Sequence, residues 1–207
     1  MRFTVVLVAA VALTGCKKAP EAPVAPEAPA APAPVEVKVD GTLHAVRCGD
    51  VTAEWLGTAP EAPAPKSFGV ESLRFRFKDG AVKPFKPAGA LEFSDWSFEV
   101  FSPDCAYTVL LVDRFGPYQS VKTSALAEYL DGGGAVVELR HADSTARVHS
   151  GAHFVSPREL EYQASCCGGV EVVRAAVDDA ARQSVVFSAP EAPKGIRRTA
   201  TGYEVVP

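Results

Sequence analysis

Cysteine and histidine are the side chains that most readily act as nucleophiles, proton carriers or metal ligands, and this chain of 207 residues has five of the first and four of the second. His149 and His153 have the i, i+4 spacing of a helical metal pair, yet Gly151 between them argues against a helix. On an extended strand the two would share a face about 13 Å apart, too far to hold one ion unaided. With His44 and His141 they read as exposed or hydrogen-bonded residues, and no metal ligand is assigned. No Cys-x-x-Cys, Gly-x-Ser-x-Gly, His-Glu-x-x-His or Walker-type loop occurs. Gly132-Gly133-Gly134 follows a predicted helix instead of preceding one, so it cannot gather amides around a phosphate. Asp178-Asp179 are neighbours on a turn and face water. No catalytic residue is assigned.

One cysteine stands apart. Arg2, the apolar stretch Phe3–Ala12 and then Leu13-Thr14-Gly15-Cys16 follow each other at the N-terminus. An apolar run of that length is too short for a permanent span, which needs about 20 residues, and fits a removable export signal over residues 1–15. The run Thr108–Val112 is too short as well, since Asp113 and Arg114 end it. Leu13-Thr14-Gly15-Cys16 resembles the lipobox of bacterial lipoproteins. The resemblance implies a diacylglycerol thioether on Cys16, cleavage before it and an N-acyl chain on the new amino end; no other cofactor is expected. Lys17, where inner-membrane retention uses Asp, implies the periplasmic face of the outer membrane; the alternative is the outer side of a Gram-positive plasma membrane. Two or three acyl chains on one residue meet the two-signal requirement for stable anchoring.

The elements that would position any site begin after a spacer. Residues 16–36 hold the lipidated cysteine and a Pro/Ala/Glu-rich linker, with Pro20, Pro23, Pro26, Pro29, Pro32 and Pro34 excluding helix and sheet. Such a segment favours extended polyproline II at about 3.1 Å per residue. Residues 37–207 are long enough for one domain that buries about 70% of its unfolded surface. The linker's Ala-Pro-Glu-Ala-Pro recurs at 59–63 and 189–193, and both copies read as loops. Loss of residues 1–15 removes Arg2 alone among the charged side chains, leaving 20 basic against 25 acidic, a net of −5. A weakly acidic chain without a basic patch is a poor candidate for nucleic acid or anionic lipid surfaces.

Periodicity in the domain is mostly two. Leu73-Arg74-Phe75-Arg76-Phe77 alternates and runs through Lys78-Asp79-Gly80 into Ala81–Phe85, a hairpin. Further β-rich runs are Trp96–Phe101, Tyr107–Val112, Ala135–Leu139, Val170–Val173, Val185–Phe187 and Tyr203–Val206. One short helix is predicted at Ser124–Leu130, capped by Thr123 or Ser124; Arg174–Arg182 is either a helix or strand–turn–strand. The fold class is mainly β: a single domain of sandwich or irregular, propeller-like antiparallel sheets. Trp55, Trp96, Phe75, Phe77, Phe98 and Phe101 are assigned to its core.

Phe98–Asp104 reads Phe-Glu-Val-Phe-Ser-Pro-Asp and 152–158 reads Ala-His-Phe-Val-Ser-Pro-Arg. The echo resembles the blade repeat of periplasmic Tol-type β-propellers, with Cys105 where the repeat has Gly. The four remaining cysteines, Cys48, Cys105, Cys166 and Cys167, are even in number in an exported domain and argue for disulfides, with all three pairings open. Together these features favour a membrane-anchored, non-enzymatic module that binds an envelope protein or polymer or serves as a structural accessory; the alternative is an envelope hydrolase or metal-dependent enzyme with a dispersed site.

Overall fold

The structure, a computed structural model, describes residues 32–58, 69–89, 91, 96–140, 148–166, 169–189, 195–200 and 202–206. The export signal, Cys16, His141, Cys167 and all but Ala189 of the inner Ala-Pro-Glu-Ala-Pro copies lie outside them. The fold is mainly β, and every sheet is antiparallel with strands in sequence order.

The first sheet is a meander of β1 (Val35–Glu36), β2 (His44–Cys48), β3 (Val51–Thr58), β4 (Gly69–Phe77) and β5 (Val82–Phe85). Strand β1 thus begins inside the segment read as linker. The alternation in β3 and β4 buries Val51, Ala53, Trp55, Leu73 and Phe75 on one face and leaves Thr52, Glu54, Arg74 and Arg76 on the other. The second sheet holds β6 (Tyr107–Leu111), β7 (Tyr118–Lys122) and β8 (Val137–Leu139). The third holds β9 (Val148–Ser156), β10 (Glu159–Cys166), β11 (Gly169–Ala176) and β12 (Asp179–Ala189), and β13 (Gly195–Thr199) pairs with β14 (Gly202–Val206) as a terminal hairpin.

The second sheet is packed on both faces. Leu110 and Val121 join the core of the first sheet with Trp55 and Phe75, whereas Val109, Leu111 and Tyr118 join Leu160, Tyr162 and Val173 of the third. Two-sided burial is why β6 reads as a continuous apolar run and not an alternating one.

Two local expectations need correction, and one left open is decided. Trp96–Phe101 forms no full strand; it approaches β6 with a single bridge, Phe101 to Thr108. The helix is a 3₁₀ turn (Thr123–Ala125) leading into α1 (Leu126–Leu130), and neither Thr123 nor Ser124 caps it. Thr123 instead shares a buried hydroxyl contact of 3.1 Å with Thr108. Of the two alternatives for residues 174–182, strand–turn–strand is the one found: β11 and β12 pair across a turn at Val177-Asp178.

The sequence echo falls on equivalent turns. Ser102-Pro103-Asp104 opens β6, with the Ser102 hydroxyl donating to Asp104 at 2.7 Å and accepting the Tyr107 amide at 2.9 Å. Ser156-Pro157-Arg158 joins β9 to β10, its Arg158 amide donating to Ser156 Oγ at 3.3 Å. The turns also touch, since Arg158 lies 3.6 Å from Asp104 and over the Tyr107 ring. Cys105, in the position of the repeat's glycine, has φ +58°. Its disulfide to Cys48 ties the first sheet to the turn that opens the second.

Candidate functional site

Between the first sheet, the segment 98–103 and β9, a groove of about 450 Å³ opens beside the start of the domain. His44 and Val46 reach it from β2, Phe98 and Phe101 from the segment entering the second sheet, and Phe154 from β9; Pro34 and Pro103 line it as well. The site rests on an aromatic triangle. His44 stands 4.7 Å from the Phe98 ring and 5.3 Å from Trp55, and Trp55 meets Phe98 edge-on at 5.3 Å. Trp55 and Phe101 are buried, so the wall is rigid, while Phe98, Phe154 and His44 stay half-buried and present their rings. Two carboxylates rim the groove. Glu36 pairs with His44 Nδ1 at 3.2 Å, and Glu99 accepts the Phe154 amide at 3.3 Å.

Two further polar clusters are each built on a buried glutamate. Glu54 is fully buried and accepts from Arg74 Nε and Arg76 Nε, each at 2.6 Å. Burial pushes its carboxyl up, and the hydrogen bonds from Arg76 and Arg74 outweigh that and hold it below the usual carboxylate range. Glu161, equally buried, accepts from Arg174 and from the Tyr203 hydroxyl. Its carboxyl is likewise pushed up by burial and brought lower overall by Tyr203, Arg174 and the charge of His153. Burial and Glu161 together drive the Tyr203 phenol up to about 12. These carboxylates hold arginines in place and make no general acid.

The histidine pair does not share a face. Gly151, at φ +64°, forms a bulge in which two residues of β9 oppose Tyr162, so the strand changes phase between His149 and His153. His149 turns inward, with Nδ1 2.5 Å from the Gly116 carbonyl, and His153 turns outward to Glu161 at 3.5 Å. No group of three metal-ligating side chains occurs among the described residues.

Of the disulfide candidates, Cys48 and Cys105 are joined; the Cys166 side chain lies with Cys167 outside the described residues. Phe98 and Phe101, read as core, contribute to both core and groove, whereas Phe154 and His44 carried no sequence signal for the groove. The echo could not have found Phe154, because it aligns that residue with Val100, which is buried in the core and does not line the groove. No protein-family model, no curated protein and no solved structure matches this chain.

Proposed function

We propose that this protein is a lipid-anchored envelope lipoprotein, tethered through Cys16, whose β domain is a non-enzymatic binding module. The observation that carries the binding reading is the groove: three phenylalanine rings and a histidine on a rigid wall, with Glu36 and Glu99 at the rim. Proline and aliphatic side chains stack on such rings, and an extended segment presents them at low entropic cost. The rim carboxylates complement a basic side chain beside the apolar contact. The partner is therefore an extended, proline-bearing segment of an envelope protein that carries lysine or arginine. The groove lies beside the end of the linker, so the tether delivers it to partners away from the membrane.

Two experiments test the reading. Metabolic labelling with a palmitate analogue should mark the wild type and leave Cys16→Ser unmarked; equal labelling removes the anchor. A panel of proline-bearing peptides with and without lysine should be titrated against the full chain. Basic members should bind, and the double change Glu36→Lys, Glu99→Lys should weaken them by about tenfold or more. Equal binding of neutral and basic peptides, or an unaffected double variant, sinks the assignment.

A further inference from the structure

We propose a second binding site, on the outer face of the first sheet, that takes phosphate-bearing anions. The chain is acidic overall, but strand register gathers cations on this face. Arg47 lies opposite Thr52, and Thr52 lies opposite Arg76, so the two arginines flank one threonine across three strands. Arg74 is two residues along β4 on the same face, and Lys78 follows at the strand's end. A recess of about 220 Å³ is lined by Arg47, Thr52, Arg76 and Lys78, with Asp50 as the one carboxylate among the described residues that line it. Asp50 lies 3.4 Å from Lys78 and is mostly exposed, so it screens that lysine weakly.

What makes this a built site is Glu54 behind it. The carboxylate is wholly buried and binds both Arg74 and Arg76 mainly through Nε, fixing two long side chains that would otherwise lose rotamer freedom on meeting a ligand. Four cations, Arg47, Arg74, Arg76 and Lys78, then stand against two carboxylates, Glu54 and Asp50. A guanidinium fork matches phosphate geometry bidentately, and the Thr52 hydroxyl adds a neutral donor between the forks. Arg47 and Arg76 are two strand spacings apart, about 10 Å, which suits a diphosphate or a phosphate with a neighbour better than a lone carboxylate. Net charge concealed this site because Arg47 joins the cations of β4 only through strand pairing, and acidic residues elsewhere outnumber them. The groove with Phe98 is distinct, so either assignment can fail without the other.

The probe is inorganic pyrophosphate, titrated into the oxidised full chain carrying Cys16→Ser so that no lipid is attached. Binding is expected to weaken about tenfold in Arg47→Gln and in Lys78→Gln, neither of which touches Glu54, and to fall steeply as salt is raised. Arg76→Gln should weaken it further, but it also takes a partner from the buried Glu54 and so disturbs the fold. The first two variants keep the test decisive. A second arm measures co-sedimentation with phosphatidylcholine vesicles with and without phosphatidylglycerol. Pyrophosphate binding alone identifies a soluble phosphate ligand, and binding in both arms identifies a lipid headgroup. No pyrophosphate binding at millimolar concentration, or equal binding by wild type, Arg47→Gln and Lys78→Gln, overturns the proposal.

Discussion

The first and third sheets solve the same problem with different parts. Each has a fully buried glutamate on the second strand of its four longer strands, facing an arginine directly across on the next strand: Glu54 opposite Arg74, and Glu161 opposite Arg174. Each glutamate points away from the core shared with the second sheet. In the first sheet the second partner is another arginine, Arg76, so the cluster ends in cations facing out. In the third it is Tyr203 of the terminal hairpin, with His153 alongside, so the cluster is closed by another element. A buried carboxylate is costly unless its lone pairs are filled, and the choice of second partner decides whether it serves a surface or a joint. The first arrangement prepares a surface for a ligand, and the second fastens the hairpin.

The sheets also differ in covalent support, and here the largest effect is expected. Cys48–Cys105 closes a separation of 57 residues that contains β3, β4 and β5 of the first sheet. Loop-closure entropy for that length corresponds to about 4 kcal/mol, an upper figure if the reduced chain keeps residual structure. The double change Cys48→Ser, Cys105→Ser should lower the urea midpoint strongly, and hydrogen exchange should rise in β2–β5 before β9–β12. Uniform loosening of both sheets would show that they unfold as one unit and that the comparison has no energetic content.

Removing the cross-strand arginine should separate the clusters next. Arg174→Ala leaves Glu161 buried with only Tyr203 and His153, a loss of about 3 kcal/mol, at the low end for a broken buried pair because the guanidinium is partly exposed. Arg74→Ala leaves Glu54 with Arg76 on both oxygens, at 2.6 and 3.3 Å, and should cost about 1 kcal/mol. Denaturant titration of the two variants checks the order. If Arg74→Ala costs as much as Arg174→Ala, Arg76 is not a substitute and the surface cluster is as brittle as the closed one.

How much of this was legible can be argued from the same residues. The alternation Leu73-Arg74-Phe75-Arg76-Phe77 placed both arginines on one face, because period two is a property of a single strand. It carried no information about Glu54 or Arg47, which reach that face through pairing register. The class of fold, the Lys78-Asp79-Gly80 turn and the terminal strand Tyr203–Val206 were legible for the same local reason. The bulge at Gly151 was not: one inserted residue inverts the phase of β9, so a pattern that put His149 and His153 on one face failed. The helix cap failed because Thr123 is claimed by Thr108, a partner from another strand. The groove was hidden for the reason common to sites in all-β folds, assembly from segments distant in sequence.

The smallest expected effect tests whether Tyr203 fastens the hairpin. Tyr203→Phe removes the hydroxyl that donates to Glu161 and keeps the ring contact with Phe187, so it should cost about 1 kcal/mol at neutral pH. The pH dependence follows from the direction of each shift. The Tyr203 phenol is raised from 10 to about 12, so its contribution is complete below pH 10 and disappears as pH rises from there through the folded value. Glu161 is held below the usual carboxylate range, so its contribution is present above the unfolded value and disappears as pH falls through the folded one. Tyr129, whose phenol burial also raises to about 12, would blur a bare alkaline titration of the wild type. The informative quantity is therefore the difference between wild type and Tyr203→Phe, measured as urea midpoints and as β13–β14 amide exchange. That difference should hold from pH 6 to 9 and shrink between 10 and 12, with exchange rising in the hairpin and not in the first sheet. A difference that persists unchanged beyond pH 12, or one spread equally over both sheets, would mean that the phenol holds nothing the phenylalanine ring does not.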